Sequence, residues 1–169
     1  MYKMEYSLWL TPDSQSGEQL NKTVIKLHQK FKTPLFTPHV TICGSFMNIE
    51  NVMEFLKNST FSTLEKPFYF ASTDIGNTYF QCVYYSLVHD ELLVTLNAKI
   101  ESIEGRVGKR FHPHVSVVYG DLSDNQKSEA QEIASNDCPP LFIPGTLSIV
   151  PTGKDIEEWK PIFEIKLKQ

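Results

Sequence analysis

The sequence predicts an α+β fold with antiparallel strands, and three observations support this. Strand-like segments carry an apolar face, and helical segments with apolar residues three and four apart lie between them. Two nearly identical segments, 38–42 and 113–117, lie in strand-like runs, one in each half of the chain. Each half is therefore expected to contain a strand, a helix, a motif strand, a second helix and a further strand. We expect residues 1–169 to form one domain with two lobes.

The first half begins with a strand over 6–10, followed by a helix over 16–31 whose apolar residues recur at helical spacing. The first motif strand comes next and ends at Ser45, after a glycine. Asn48 is predicted to cap a second helix that runs to Lys57.

The middle of the chain predicts a hairpin and a third helix. Aromatic and β-branched residues dominate 68–75 and 78–88, and the glycine–asparagine pair at 76–77 is a turn signal between them. Asp90 is then predicted to cap a helix that runs to Ile103.

The last third contains the second motif strand, a fourth helix and two closing strands. Ser123 and Gln126 have the spacing of a capping box for a helix through Ala134. The closing strands are predicted over 142–150 and 161–167.

The charge balance argues against a wide nucleic-acid surface. Sixteen Lys and Arg residues against twenty Asp and Glu residues give a formal net charge of −4. Proteins that coat nucleic acid need a basic face, so we predict no extended nucleic-acid footprint. A small anionic ligand held in a pocket is compatible with this charge, because local donors decide its binding.

The remaining composition describes an ordinary globular protein, with 41% hydrophobic and 21% charged residues. No basic segment followed by an apolar stretch opens the chain, and no apolar run approaches the ~20 residues that span a bilayer. We therefore expect a cytoplasmic monomer with no membrane partner. Cys43, Cys82 and Cys138 lack the spacing of a zinc site or a disulfide framework, and we expect small, mostly buried thiols.

The two repeated segments carry the most specific chemical signal. His39 lies two residues before Thr41, and His114 lies two residues before Ser116. Residues i and i+2 of a strand project from the same face, so each motif is expected to present an imidazole and a hydroxyl together. The plain structural alternative is that each Pro-His pair only opens a buried strand.

Two imidazoles and two hydroxyls are suited to acid–base chemistry on a bound phosphate. One neutral histidine can take a proton from an attacking water, and one protonated histidine can give a proton to the departing sugar oxygen. Histidine suits both roles because its unperturbed pKa is about 6.5. The hydroxyls can donate to the non-bridging phosphate oxygens. This chemistry needs no metal and no other cofactor, and we predict neither.

The tandem His-x-Thr and His-x-Ser resembles the signature of the 2H phosphoesterase superfamily. Segments 6–9, 38–41 and 114–119 are similar, in order and spacing, to its cyclic phosphodiesterase branch from yeast and plants. The resemblance implies a bilobal α+β fold with two antiparallel sheets facing a central cleft, pseudo-twofold symmetry and helices outside. It further implies the site residues: His39 and His114 as catalytic, Thr41 and Ser116 as substrate-binding.

The resemblance also implies a substrate class. Members of this cyclic phosphodiesterase branch hydrolyse ADP-ribose 1″,2″-cyclic phosphate to the 1″-phosphate, downstream of tRNA splicing. They also open nucleoside 2′,3′-cyclic phosphates to 2′-phosphates. Two alternatives stay open: an RNA end-processing enzyme that acts on oligonucleotides, and a non-catalytic module that binds nucleotide phosphates.

Two aromatic residues are weaker candidates for substrate binding. The resemblance suggests that Trp9 and Tyr119 stack on a base or border the phosphate, and the alternative is that they are core aromatics. Tyr119 lies three residues beyond Ser116, so it reaches the same face only where the strand ends or bulges.

The basic segment before the second motif has two interpretations. Arg106, Lys109 and Arg110 can hold a pyrophosphate or steer an anion inward, or they can form a solvated loop. His112 and His114 lie two residues apart, as metal ligands often do. No carboxylate lies at a spacing that would complete a metal site with them, so we predict no metal site.

Overall fold

The computed structural model describes residues 4–107, 110–152 and 155–168. Within these ranges it contains four α-helices and eight β-strands. The helices are α1 (Ser14–Phe31), α2 (Ile49–Lys57), α3 (Glu91–Ile103) and α4 (Asp124–Asp137). The strands are β1 (Tyr6–Pro12), β2 (Val40–Phe46), β3 (Phe68–Thr78), β4 (Gln81–Leu87), β5 (His114–Val118), β6 (Leu141–Phe142), β7 (Pro144–Pro151) and β8 (Phe163–Lys166).

The strands form one antiparallel sheet, which corrects the expectation of two separate sheets. The strand order is β6-β3-β4-β5-β2-β1-β7-β8. The two motif strands β2 and β5 are central neighbours, and their ladder has the single register pair Val40 and Val115. The α+β class and the antiparallel pairing are confirmed. The short ladder between β2 and β5 joins the strands of the two halves into one continuous sheet.

The topology repeats on either side of the β2–β5 junction. Each motif strand pairs on its outer side with the strand that precedes it across a helix: β1 through α1 for β2, and β4 through α3 for β5. Helix α1 packs against β5, and α3 packs against β2. Each helix therefore reaches across the junction, and its packing supports the motif strand of the other half.

The start of α1 and the capping of α2 both differ from the prediction. Helix α1 begins at Ser14, because the carboxylate of Asp13 accepts the Ser16 N–H at 2.8 Å. Asn48 stands at the N-cap of α2, as predicted, but its side chain makes no capping hydrogen bond. Glu104, the residue after α3, instead accepts the N–H of Asn48 at 2.8 Å and so holds the start of α2.

The β3–β4 hairpin turns at residues 79–80, which corrects the predicted turn at 76–77. Thr78 pairs with Gln81, and the register shifts between Ile75 and Thr78. A Cβ on Gly76 would lie 1.8 Å from the Gln81 carbonyl oxygen. The glycine is required by this close backbone approach in a bulge, and not by a turn.

The predicted strand over 142–150 is interrupted at Ile143. The Ile143 N–H donates to Ser16 Oγ at 3.1 Å, and its carbonyl accepts the Asp13 N–H at 2.7 Å. These bonds to the start of α1 replace strand pairing, and Pro144 has no N–H to contribute. None of the helices within the described residues combines the length and the apolar character needed to span a membrane.

Candidate active site

The antiparallel pairing at the sheet centre brings both motifs to one place. Val40 and Val115 pair and are both 0% exposed, so they face the core. Their neighbours face the opposite way, which sets His39 beside Ser116 and Thr41 beside His114. These four side chains line one cavity of about 370 Å³. The structure therefore brings together the four residues singled out by the repeated motif.

Both histidines are held by the same local hydrogen bond. The Nδ1 of His39 lies 2.7 Å from the carbonyl oxygen of Thr37, and the Nδ1 of His114 lies 2.9 Å from that of His112. A carbonyl can only accept, so Nδ1 must carry the proton and Nε2 is left for a ligand. The proline in each X-Pro-His segment favours the extended backbone that allows this contact.

Burial keeps both imidazoles neutral in the unliganded protein. Desolvation lowers the pKa of His39 to about 4, opposed by the Thr37 hydrogen bond and assisted by repulsion from His114. Desolvation also lowers the pKa of His114 below 6.5. The charge of His114 acts at His39, and the charge of His112 acts at His114, each lowering the pKa of its neighbour. An anion placed between His39 and His114 would reverse this balance and favour protonation.

Each catalytic candidate contacts an aromatic ring of the neighbouring outer strand. Trp9 pairs with Thr41 in the β1–β2 ladder, and its ring stacks on His39 with centroids 3.6 Å apart and an interplanar angle of 10°. In the equivalent position of the other half, Tyr84 pairs with Ser116 and meets His114 edge-on at 5.0 Å. Tyr84 was not predicted from the sequence. The signal that could have indicated it is the order of strand, helix and motif strand, which both halves share and which makes Tyr84 the counterpart of Trp9.

A bulge after the second motif brings Tyr119 to the cavity. Val83 pairs with Val118, but Tyr84 pairs with Ser116, so β5 has one extra residue between these pairs. The strand then ends at Val118. An added residue shifts the alternation by one, so residues three apart share a face. Tyr119 therefore lies on the same side as Ser116, as expected where the strand bulges and ends, and it lines the cavity with Ser116.

The two hydroxyls are in different states. Ser116 Oγ donates to the carbonyl oxygen of Phe80 at 2.8 Å. Its single proton must turn away from Phe80 before it can serve a phosphate oxygen. Thr41 lines the same cavity, is partly exposed, and makes no side-chain hydrogen bond to the described residues. Thr41 is therefore the more readily available donor.

The aromatic rim of the cavity includes two residues, Phe80 and Trp159, that were not predicted from the sequence. Phe80 is 51% exposed, and its ring lies 5.6 Å from that of Trp159. Both line the cavity together with Trp9 and Tyr119. One face of Trp9 is covered by His39, and Tyr119 stacks on Phe36 at 3.7 Å. An exposed aromatic at a hairpin tip could have indicated Phe80, whereas Trp159 lies far along the chain with no local signal.

Among the remaining candidates, Arg106 and Cys43 have structural roles, and Lys109 cannot be placed. Arg106 pairs with Glu101, with Nε and Oε2 2.7 Å apart, and Lys109 lies outside the described residues. Burial, first, and then the hydrogen bond to Glu101 raise the pKa of Cys43 to about 12, so this thiol stays protonated. The described residues contain no group of three or more His, Cys, Asp or Glu side chains arranged to hold a metal ion.

Comparison with known proteins identifies relatives whose sequences are similar to this one. The chain is 28% identical over 133 residues to a cyclic phosphodiesterase of Arabidopsis thaliana, covering 76% of this chain and 72% of that protein. It is 31% identical over 140 residues to a 2′,3′-cyclic-nucleotide 3′-phosphodiesterase of Kluyveromyces lactis, covering 70% and 66% of the two chains.

Solved structures share the fold at low sequence identity. E. coli LigT in complex with NADP+ matches with a TM-score of 0.59 and 12% identity over 100% of both chains. Kluyveromyces marxianus Usb1 matches with a TM-score of 0.52 and 10% identity over 99% of both. The model of the family described as cyclic phosphodiesterase-like protein matches residues 4–167. Because that match spans nearly the whole chain, the protein belongs to the cyclic phosphodiesterase-like family of the 2H phosphoesterase superfamily, a class of phosphodiester hydrolases.

Proposed function

We propose that this protein hydrolyses small cyclic phosphodiesters by general acid–base catalysis with His39 and His114. The substrate classes that fit are nucleoside 2′,3′-cyclic phosphates and ADP-ribose 1″,2″-cyclic phosphate. The observation that carries the proposal is the convergence of both imidazoles and both motif hydroxyls on one cavity. A volume of about 370 Å³ is at the small end of ligand pockets and suits a mononucleotide.

The proposed reaction moves two protons and exchanges one P–O bond. A neutral imidazole takes a proton from water as the water oxygen attacks phosphorus, and a protonated imidazole gives a proton to the sugar oxygen as its bond to phosphorus breaks. The product is a phosphomonoester with a free neighbouring hydroxyl. Each proton transfer of this kind contributes about 10²–10⁴-fold to the rate. Thr41 and Ser116 would hold the developing charge on the non-bridging oxygens.

We assign the base to His39 and the acid to His114. His39 is 5% exposed and has a pKa of about 4, so it is neutral at the pH at which the reaction must run. His114 is partly exposed, and burial lowers its pKa. It can therefore take up a proton more readily when an anionic substrate enters.

The rim aromatics are the proposed contact for the nucleobase. Phe80 and Trp159 both line the cavity, and Phe80 keeps half of its surface exposed. Base–aromatic stacking contributes about 1–3 kcal/mol per base. Structures of the same fold support a nucleotide site of this kind, since E. coli LigT has been solved with 3′-AMP and with ATP. We propose that Trp9 and Tyr119 contribute their edges to the substrate cavity and their faces to the packing of His39 and Phe36.

A panel of cyclic phosphates tests the proposed activity. It includes the four nucleoside 2′,3′-cyclic phosphates, ADP-ribose 1″,2″-cyclic phosphate and an oligonucleotide with a 2′,3′-cyclic end, all assayed with EDTA present. We expect the small substrates to be opened to phosphomonoesters, with phosphorus NMR identifying the product isomer. Turnover of the oligonucleotide alone would favour RNA end processing. Binding of the phosphomonoester without turnover of any cyclic precursor would indicate a non-catalytic module.

A further inference from the structure

A second cavity of about 470 Å³ adjoins the active site. It shares Thr41, Gln81 and His114 with the cavity that holds the two histidines. Among the described residues, its wall includes Asn97 and Glu101 of α3 and residues 110–112, which precede β5. A group attached to a substrate bound at His114 can therefore extend into it without leaving the protein surface.

The charge of this second cavity is positive in a chain whose net charge is −4. Both arginines of the sequence, Arg106 and Arg110, line it. Glu101 is the one carboxylate among the described lining residues, and it is paired with Arg106 at 2.7 Å. The ion pair cancels one charge of each sign, so the charge of Arg110 remains in excess.

The two arginines have different roles. Arg106 is committed to the fold, because its guanidinium also donates to the carbonyl oxygens of Gly44 at 3.2 Å and Ser45 at 3.3 Å. Arg110 is exposed and makes no hydrogen bond or ion pair with the described residues. Its five N–H donors are available to a ligand, and a guanidinium binds a phosphate through two parallel hydrogen bonds.

His112 gives the cavity a second donor close to the reaction centre. Its carbonyl oxygen accepts the Nδ1–H of His114, and its ring lies 6.0 Å from the His114 ring. Both rings line the second cavity. Arg110, His112 and His114 therefore line one cavity, and His112 is the neighbour of the reaction centre within it.

We propose that the second cavity is an anion subsite for a phosphate group that the substrate carries on the far side of its ribose, contacted by Arg110 and His112. A nucleoside 2′,3′-cyclic phosphate with a 5′-phosphate has this arrangement. The inference rests on the proposed function and adds that a second phosphate is recognised. Such a subsite would make the protein prefer substrates that bear a phosphate or diphosphate at this position over simple cyclic nucleotides.

The test compares adenosine 2′,3′-cyclic phosphate with its 5′-phosphorylated form. The native protein should prefer the 5′-phosphorylated substrate in kcat/KM by roughly tenfold, the size of one charge-assisted hydrogen bond at a partly exposed site. Arg110→Gln should reduce that preference to about twofold or less, and Arg110→Lys should retain part of it because the charge remains. The preference should also fall with rising salt, since the contact is exposed.

The control is Lys22→Gln, which removes the same charge from the exposed face of α1. It should leave the preference unchanged, so a loss caused by net charge alone is distinguished from a loss of contact. The inference is overturned when the native protein shows no preference, or when the preference survives Arg110→Gln. Absence of turnover with both substrates is a different result, because it contradicts the proposed activity itself.

Discussion

His39→Asn and His114→Asn should each lower kcat by about 10²–10⁴-fold. Asparagine places its amide nitrogen near the position of Nδ1, so the hydrogen bond to Thr37 or His112 can be kept. What each variant loses is Nε2, the atom that moves the proton. The double variant should lose less than the product of the two single losses, because both protons move around one transition state. The measurement is steady-state turnover of the best substrate from the panel.

His89→Asn is the matched control for these substitutions. His89 is exposed and pairs with Glu91 at 2.8 Å, away from the cavity. It should retain native turnover, and all three single variants should show cooperative thermal unfolding. A folded His39→Asn or His114→Asn protein with native kcat would contradict the two-histidine mechanism.

Thr41→Val should lower kcat/KM by about 10–100-fold, which corresponds to one charge-assisted hydrogen bond of roughly 1.5–3 kcal/mol. Valine keeps the shape of threonine and removes only the hydroxyl. Ser116→Ala should cost less, because Ser116 Oγ already donates to Phe80 and gives up that bond when it turns toward a phosphate. The difference between the two variants measures how far each hydroxyl is available before substrate binds.

The control for Thr41→Val is Thr95→Val, a change of the same shape on the exposed surface of α3. It should leave kcat/KM unchanged. Equal losses in Thr41→Val and Ser116→Ala would show that the Phe80 contact does not compete with substrate. No loss in either would mean that the hydroxyls do not touch the phosphate.

The repeated motif made the centre of the site predictable, since alternation alone places His39 with Thr41 and His114 with Ser116. It did not give the pairing of β2 with β5, which depends on contacts between distant residues. The single register pair Val40–Val115 decides that the four side chains share one cavity. The expectation of two sheets was wrong for the same reason, because a sheet's edges are set by such long-range pairs.

Features that depend on irregular backbone were the least predictable. The turn predicted at 76–77 was wrong, because a glycine is needed equally for a turn and for the close backbone approach of Gly76 to Gln81. The bulge opposite Tyr84 has no sequence signature, yet it directs Tyr119 into the cavity. The rim residues Phe80 and Trp159 meet only in the folded chain, where a hairpin tip lies beside a later loop.

The most direct test of the account is a titration of the two imidazoles by NMR with and without inorganic phosphate. In the free protein His39 should titrate near pH 4 and His114 below 6.5. Phosphate bound between the rings favours their charged forms, so both pKa values should rise, and phosphate affinity should increase as the pH falls toward them. A rise at both histidines at the same phosphate concentration is the predicted result. Saturable phosphate binding that shifts only one histidine, or neither, would contradict a shared anion site.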